Sequence, residues 1–121
     1  MKRLALTVLA CTLLGTPAVA GLTVVGEGDA RSFDAAGFPP EMQAPFKTLE
    51  TKCSVASCHG MGRTVEAIVS GIAPISQTPF DKTAAKKYGV KMMRMPNSGI
   101  TKDEAKEAVN TLYFLIDESG R

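Results

Sequence analysis

Two of the three cysteines and the only histidine lie in one heptapeptide, CSVASCH, at residues 53–59. The chain of 121 residues has no Trp, two Tyr and five Phe, so it can bury few large side chains. Chains of this size often need a cross-link, a metal or a cofactor to supplement a small core. Cysteine side chains form cross-links, and cysteine and histidine side chains bind metals and cofactors. We therefore expect such a group at this heptapeptide.

The spacing within the heptapeptide restricts its geometry. On a regular helix, cysteines separated by four residues lie about 140° apart around the axis and about 7.5 Å apart along it. Residues 54–57 must therefore leave helical geometry if both thiols bond to one group. A disulfide between Cys53 and Cys58 is a second interpretation. A zinc site is less well supported, because this cluster provides only three donors where structural zinc takes four.

The N-terminal residues predict export. Lys2 and Arg3 precede an apolar run at residues 4–14, and Ala18-Val19-Ala20 has the small-x-small form of a cleavage site. The apolar run is too short for a permanent membrane anchor. We expect a signal peptide at residues 1–20, with cleavage after Ala20 and a periplasmic mature protein; lipid attachment at Cys11 is the alternative.

Cleavage changes the charge balance. Lys2 and Arg3 account for two of the 14 basic residues, so 12 basic and 12 acidic side chains remain. A neutral total gives no support for binding to nucleic acid or to a membrane surface. Cys11 leaves with the signal peptide, so the mature chain keeps only the two cysteines of the heptapeptide.

The rest of the chain predicts one helical domain at 39–121 behind an extended N-terminal leader at 21–38. Helical spacing and end signals predict a helix that starts at Pro39-Pro40 with Phe46 and Leu49 facing inward, and a short helix over 64–70 that stops at Gly71. A further short helix is expected over 81–88, ending at Gly89, followed by a loop over 91–99. The last helix, 102–117, is predicted from a Thr101/Glu104 capping box and an apolar face. Its apolar face is formed by Ala105, Val109, Leu112 and Ile116.

The residues before this last helix, MPNSGITKDE at 95–104, form a second motif. Taken in order, CSVASCH and MPNSGITKDE resemble the haem-attachment motif and the Met-Pro loop of class I single-haem c-type cytochromes. The resemblance covers roughly residues 39–117 and is weakest over 60–91. The departure is the spacing, since the usual attachment motif has two residues between its cysteines, whereas four stand here.

The resemblance implies an all-α, cytochrome c-like fold of three to five helices around one covalent haem. It implies that Cys53 and Cys58 attach the haem, that His59 is one axial ligand of the iron and that Met95 is the other. If the 91–99 loop is extended, Met93 lies on the same side as Met95 and is the next candidate. A carbonyl holds the histidine in such proteins, and Pro74 is the candidate here. Two further expectations concern packing. We expect Met42 and Met61 to pack in the core. The family often has an aromatic residue where this chain has Thr111, and we expect Tyr113 or Phe114 to take over its packing.

The function that this resemblance implies is single-electron transfer between redox partners, rather than enzymatic catalysis, because iron held on both faces has no open position. A basic run leads into the Met95 loop and predicts an acidic protein partner; it comprises Lys82, Lys86, Lys87, Lys91 and Arg94. No membrane span and no nucleic-acid partner are expected. The alternatives are a haem-based ligand-binding or sensor protein with a displaceable methionine, and a non-haem interaction domain with a disulfide.

Overall fold

The computed structural model describes residues 21–53 and 60–120, together with the backbone pairing of Ala18 and Val19. In order along the chain, the strands are β1 (Ala18–Val19), β2 (Leu22–Val25) and β3 (Ser32–Phe33), and the helices are α1 (Pro40–Thr48), α2 (Met61–Ser70), α3 (Lys82–Arg94) and α4 (Lys102–Glu118). The mostly helical architecture agrees with the predicted class. The small sheet is a departure from an all-α fold.

The segment 21–38 forms a hairpin. β2 pairs antiparallel with both β1 and β3, and Val24 lies opposite Phe33. A 3₁₀ turn at Gly28–Ala30 lies between β2 and β3. Leu22 and Phe33 are almost fully buried and belong to the same core as the helices. The expected leader is extended, and it forms part of the domain core.

α1 begins at Pro40, where a missing N–H is harmless because the first N–H groups of a helix have no intrahelical partner. Pro45 lies inside the helix, and a π-helical turn at Leu49–Cys53 follows α1. Phe46 and Leu49 are buried, as predicted. The π-helical turn therefore places Cys53 shortly after α1, a helix that the buried Phe46 anchors in the core.

α2 starts three residues before the predicted position, at Met61, and ends at Ser70 with Gly71 as the expected C-cap. Gly71 has the left-handed conformation, with φ of 75°, and its N–H donates to the carbonyl of Ala67. Met61 is buried and Met42 packs partly against the core, which confirms both packing assignments. Residues 72–80 form the expected connection without a helix.

The prediction for α3 was wrong in two respects. The helix does not end at Gly89, and residues 91–94 belong to it rather than to a loop. At Gly89, which lies inside the helix, α3 approaches α4 so closely that a Cβ would clash with a methyl group of Val109. This close approach explains why a glycine stands within the helix. Pro96 restricts only the residue before it, so the chain becomes extended at Met95 and not four residues earlier.

α4 confirms the predicted capping box. The Glu104 N–H donates to Thr101 Oγ1 at 3.2 Å, and the Thr101 N–H donates to Glu104 Oε2 at 2.9 Å. Ala105, Leu112 and Ile116 are buried, whereas Val109 is half-buried against α3. Thr111 is fully buried, and the Phe114 ring makes an edge contact with Phe38 at 5.1 Å between centroids.

α4 packs against both α1 and α3, so it crosses the centre of the molecule. Within the described ranges, no helix is long and apolar enough to cross a membrane.

Candidate functional site

A cleft lined by apolar side chains lies between the helices. It encloses about 740 Å³ of space between atoms, including the part that opens to solvent. Its walls come from the π-helical turn, from all helices except α1, and from the connections before α3 and α4. The larger apolar lining residues are Leu49, Ile75, Phe80, Met92, Ile100 and Leu112, and the smaller ones are Ala67, Ala73, Gly89, Ala105 and Ala108.

Cys53 lines this cleft and is a buried free cysteine. Burial raises the pKa of its thiol above the ordinary value, and the carboxylate of Glu104 raises it further. The chain returns to the cleft wall at Arg63 and Thr64. Cys58 and His59 belong to the intervening segment 54–59, which lies outside the described residues. The cleft is therefore lined by Cys53 and, beyond the predicted attachment segment, by the chain from the fourth residue after His59.

Glu104 connects α4 to Lys52, just before the predicted attachment segment. While Oε2 completes the capping box, Oε1 lies 3.6 Å from the Nζ of Lys52, the residue before Cys53. The hydrogen bond from the Thr101 N–H lowers the pKa of Glu104, and Lys52 contributes to the same effect. Sequence spacing identified Glu104 as a cap, but it provided no signal for the contact with Lys52, which is distant along the chain.

The structure separates the three neighbouring methionines. Met92 lines the cleft, because it lies on the same helical face of α3 as Ala85, Tyr88 and Gly89. Met95 is 53% exposed at the end of α3 and does not line the cleft. Met93 is half-buried, and its carbonyl accepts a hydrogen bond from Ser98 Oγ at 3.2 Å. The preference for Met93 over Met92 assumed an extended segment, and the helical backbone gives the opposite order.

Pro74, the predicted carbonyl partner of the histidine, also lines the cleft. Its carbonyl accepts a hydrogen bond from Gln77 Nε2 at 2.7 Å. A carbonyl oxygen has two lone pairs, so one acceptor position remains for another donor. Pro74 therefore keeps its predicted role as a candidate.

The basic run divides into two parts. Lys86, Lys87, Lys91 and Arg94 surround the exposed apolar side chains of Val90 and Met95 on the outer face of α3. Lys82 instead makes an ion pair with Asp117 at 2.7 Å and lies 5.7 Å from the centre of the Tyr113 ring. We call the first four cations, with Val90 and Met95, the α3 basic face.

The donors in the described part of the chain do not form a metal cluster by themselves. Within residues 21–53 and 60–120, no three His, Cys, Asp or Glu side chains come together. The fit of a haem is therefore judged from the cleft. Its lining is largely apolar, and one predicted attachment thiol lies in its wall. An apolar lining with a cysteine in the wall fits the chemistry of a largely apolar group that is attached through that cysteine.

One further feature was not predicted. The 3₁₀ turn of the N-terminal hairpin packs against Gly60 and Gly62, immediately after His59. A pair of glycines separated by one residue is the only sequence signal for such a close approach, and it does not identify the partner.

We compared the chain with protein-family models, curated proteins and solved structures, and none of them matched.

Proposed function

We propose that this protein is an exported single-haem c-type cytochrome that carries single electrons between redox proteins. The observation that supports the proposal best is the position of Cys53. The first cysteine of the attachment motif lines an apolar cleft, and the chain enters this cleft again just after the motif. A disulfide alone gives no reason for a cleft at that position.

In this proposal, Cys53 and Cys58 would attach the haem and His59 would bind its iron. A bound haem supplies reversible one-electron exchange at the iron. The side chains of the cleft exclude water from it, which helps to set its reduction potential. Arg63 is the one cation among the described lining residues, and it would be available to pair with a carboxylate of the bound group.

Two methionines are candidates for the second axial ligand. The sequence resemblance supports Met95, and the geometry of the cleft supports Met92. Ligation by Met95 requires the last turn of α3 to open, because this side chain lies outside the cleft in the present conformation. Ligation by Met92 requires no change of secondary structure.

We propose that the α3 basic face is the docking surface for an acidic protein partner. Its exposed apolar centre and cationic rim match the usual pattern of a small interface, in which an apolar core is surrounded by polar residues. Lys82 does not belong to this surface, because its charge is neutralised by Asp117. Charge complementarity of this kind increases the association rate more than the affinity.

The first experiment measures the mass of the protein produced in a host with haem-attachment machinery. We expect the mature chain to carry the mass of one haem. Replacement of either cysteine (Cys53→Ser or Cys58→Ser) should remove one covalent bond, so that the double variant carries none. A wild-type chain without added haem mass would exclude both the electron carrier and the haem-based sensor, and would leave the disulfide-containing interaction domain.

The second experiment identifies the methionine ligand from the absorption spectra of the oxidised and reduced protein. Met92→Ala, Met93→Ala and Met95→Ala are compared, and only the variant that loses the ligand should lose the methionine–iron absorption and show a lower potential. Carbon monoxide binding to the reduced wild type distinguishes the sensor, since a displaceable methionine permits binding and a carrier with a firmly held methionine does not.

A further inference from the structure

We infer that the N-terminal hairpin is a clamp on the segment that follows His59, with Arg31 and Gly62 as positioning residues for that histidine. The inference rests on the proposed haem function, because it concerns the orientation of an iron ligand. The hairpin itself contributes no residue that touches the haem in this proposal.

The closest contact is between backbones. A Cβ at Gly62 would overlap the carbonyl oxygen of Gly28, and a Cβ at Gly60 would overlap that of Asp29. Backbone atoms in a tight turn cannot move aside cheaply, so only glycine permits this approach. The first turn of α2 is therefore pressed directly against the tip of the hairpin.

Arg31 holds the two parts together. Its Nε donates to the carbonyl of Gly28 at 3.0 Å, within the turn. Its Nη2 donates to the carbonyl of Gly62 at 3.5 Å and lies 4.0 Å from the carboxylate of Glu66. One guanidinium thus connects the turn with the first and second turns of α2.

The hairpin also contacts the chain on the other side of segment 54–59. Ser32 Oγ donates to Oε1 of Glu50, in the π-helical turn that leads to Cys53. The hairpin is fixed at its base, because the Gly21 N–H donates to the carbonyl of Glu118 at the end of α4 at 3.2 Å. It therefore holds the residues before and after the predicted attachment segment in a fixed relation.

A clamp at both flanks has a consequence for a ligand within the segment. His59 immediately precedes Gly60 in the sequence, so we expect a shift of the first turn of α2 to be passed on to the residue that carries the imidazole. Small changes in ligand orientation alter the electronic properties of a bound metal. The hairpin should therefore influence the potential of the haem without touching it.

The test uses the full mature protein with its haem attached and compares Arg31→Ala and Gly62→Ala with wild type. Gly37→Ala is the matched control, because Gly37 is in the same N-terminal segment and a Cβ there meets no atom within 4 Å. Hydrogen exchange of the amides at 60–66 reports the clamp. The reduction potential and the absorption spectrum report the histidine.

We expect exchange at 60–66 to increase about threefold to tenfold in Arg31→Ala, as for the loss of a hydrogen bond of ordinary strength, and more in Gly62→Ala. The reduction potential should shift in both variants and stay at the wild-type value in Gly37→Ala. Arg31→Lys should restore the charge but not the two-sided hydrogen bonding, and so should fall between Arg31→Ala and wild type.

Three results would overturn the inference. Unchanged exchange in Arg31→Ala and Gly62→Ala would show that the hairpin does not restrain α2. Faster exchange with an unchanged potential and spectrum would show that the hairpin stabilises the fold without positioning the histidine. A wild-type chain that carries no haem, which its mass reveals, would overturn the proposed function and this inference with it.

Discussion

Single side chains connect distant parts of this molecule. Glu104 caps α4 with one oxygen and meets Lys52 with the other. Gly62 and Gly89 are positions where backbone or side-chain atoms of another element occupy the place of a Cβ. The capping function of Glu104 could be predicted from the sequence, because a capping box is a local pattern. The other contacts could not, because they depend on which elements meet in space.

The cap of α4 should contribute measurably to stability. Thr101→Ala removes the acceptor of the Glu104 N–H, and we expect the free energy of unfolding to decrease by about 1 kcal/mol. Chemical denaturation measures this change. Thr48→Ala is the control, since Thr48 is half-buried and its hydroxyl makes one solvent-exposed bond of 3.4 Å, to the Ala44 carbonyl within α1; an effect within about 0.5 kcal/mol is expected there. Equal losses in both variants would contradict the prediction.

The lowered pKa of Glu104 predicts part of the acid sensitivity. A carboxylate with a lower pKa in the folded state stabilises the fold above its unfolded-state value, and this contribution is lost as the pH falls through the folded-state value. Stability should therefore decrease less steeply below about pH 4.5, the ordinary value for Glu, in Glu104→Gln than in wild type. Urea denaturation across this range measures the slopes, and parallel curves would contradict the assignment.

The same experiment at high salt separates the two causes of the lowered Glu104 pKa, which are the hydrogen bond from the Thr101 N–H and the pairing with Lys52. Salt screens the partly exposed pair between Glu104 and Lys52. The hydrogen bond from the Thr101 N–H should remain, so a reduced but still measurable difference between wild type and Glu104→Gln is expected.

The contact between α3 and α4 determines the shape of one wall of the cleft. Ala85, Gly89 and Met92 lie on one face of α3, and small residues of α4 lie opposite. Sequence patterns predicted α4 well because its caps and apolar period agree. They placed the end of α3 too early, because a glycine inside a helix looks like a helix C-cap. Only the close approach of α4 shows that this glycine serves packing.

Gly89→Ala should therefore destabilise the protein, although Gly→Ala usually stabilises a helix interior by about 1 kcal/mol. The added methyl group meets Val109, and overpacking of this kind costs about 1–3 kcal/mol. The midpoint of thermal or chemical unfolding measures the effect.

Combining Val109→Ala with Gly89→Ala in one chain tests whether contact with Val109 causes the loss of stability. Val109→Ala creates the space that the methyl group added by Gly89→Ala needs, so the double variant should be more stable than the sum of the two single changes indicates. Strict additivity, or a stabilised Gly89→Ala variant, would contradict the close contact.

Over the whole molecule, charge is unevenly distributed although the predicted mature chain has equal numbers of acidic and basic residues. Four cations form the α3 basic face, whereas Lys47, Lys52 and Lys82 are within 4 Å of carboxylates. The neutral total could be read from the sequence, as could the basic run. The sequence could not show that Lys82 leaves the run to pair with Asp117, because α3 and α4 must first be brought together.

This distribution predicts how the protein behaves on a cation-exchange column. Lys86→Gln with Lys91→Gln should lower the salt concentration of elution considerably. Lys47→Gln with Lys52→Gln removes the same net charge from cations that face carboxylates and should change elution much less. Equal shifts for the two double variants would show that the protein has no dominant basic face.

If the chain is exported as proposed, the pairing of β1 with β2 has a consequence for the order of events. Ala18 and Val19, two residues of the predicted cleavage site, pair with Thr23 and Leu22 in the sheet. A protease that binds its substrate as an extended strand competes with β2 for the same backbone groups. The predicted cleavage after Ala20 would then have to precede the pairing of β1 with β2, so a precursor that folds too soon would protect its own predicted signal peptide.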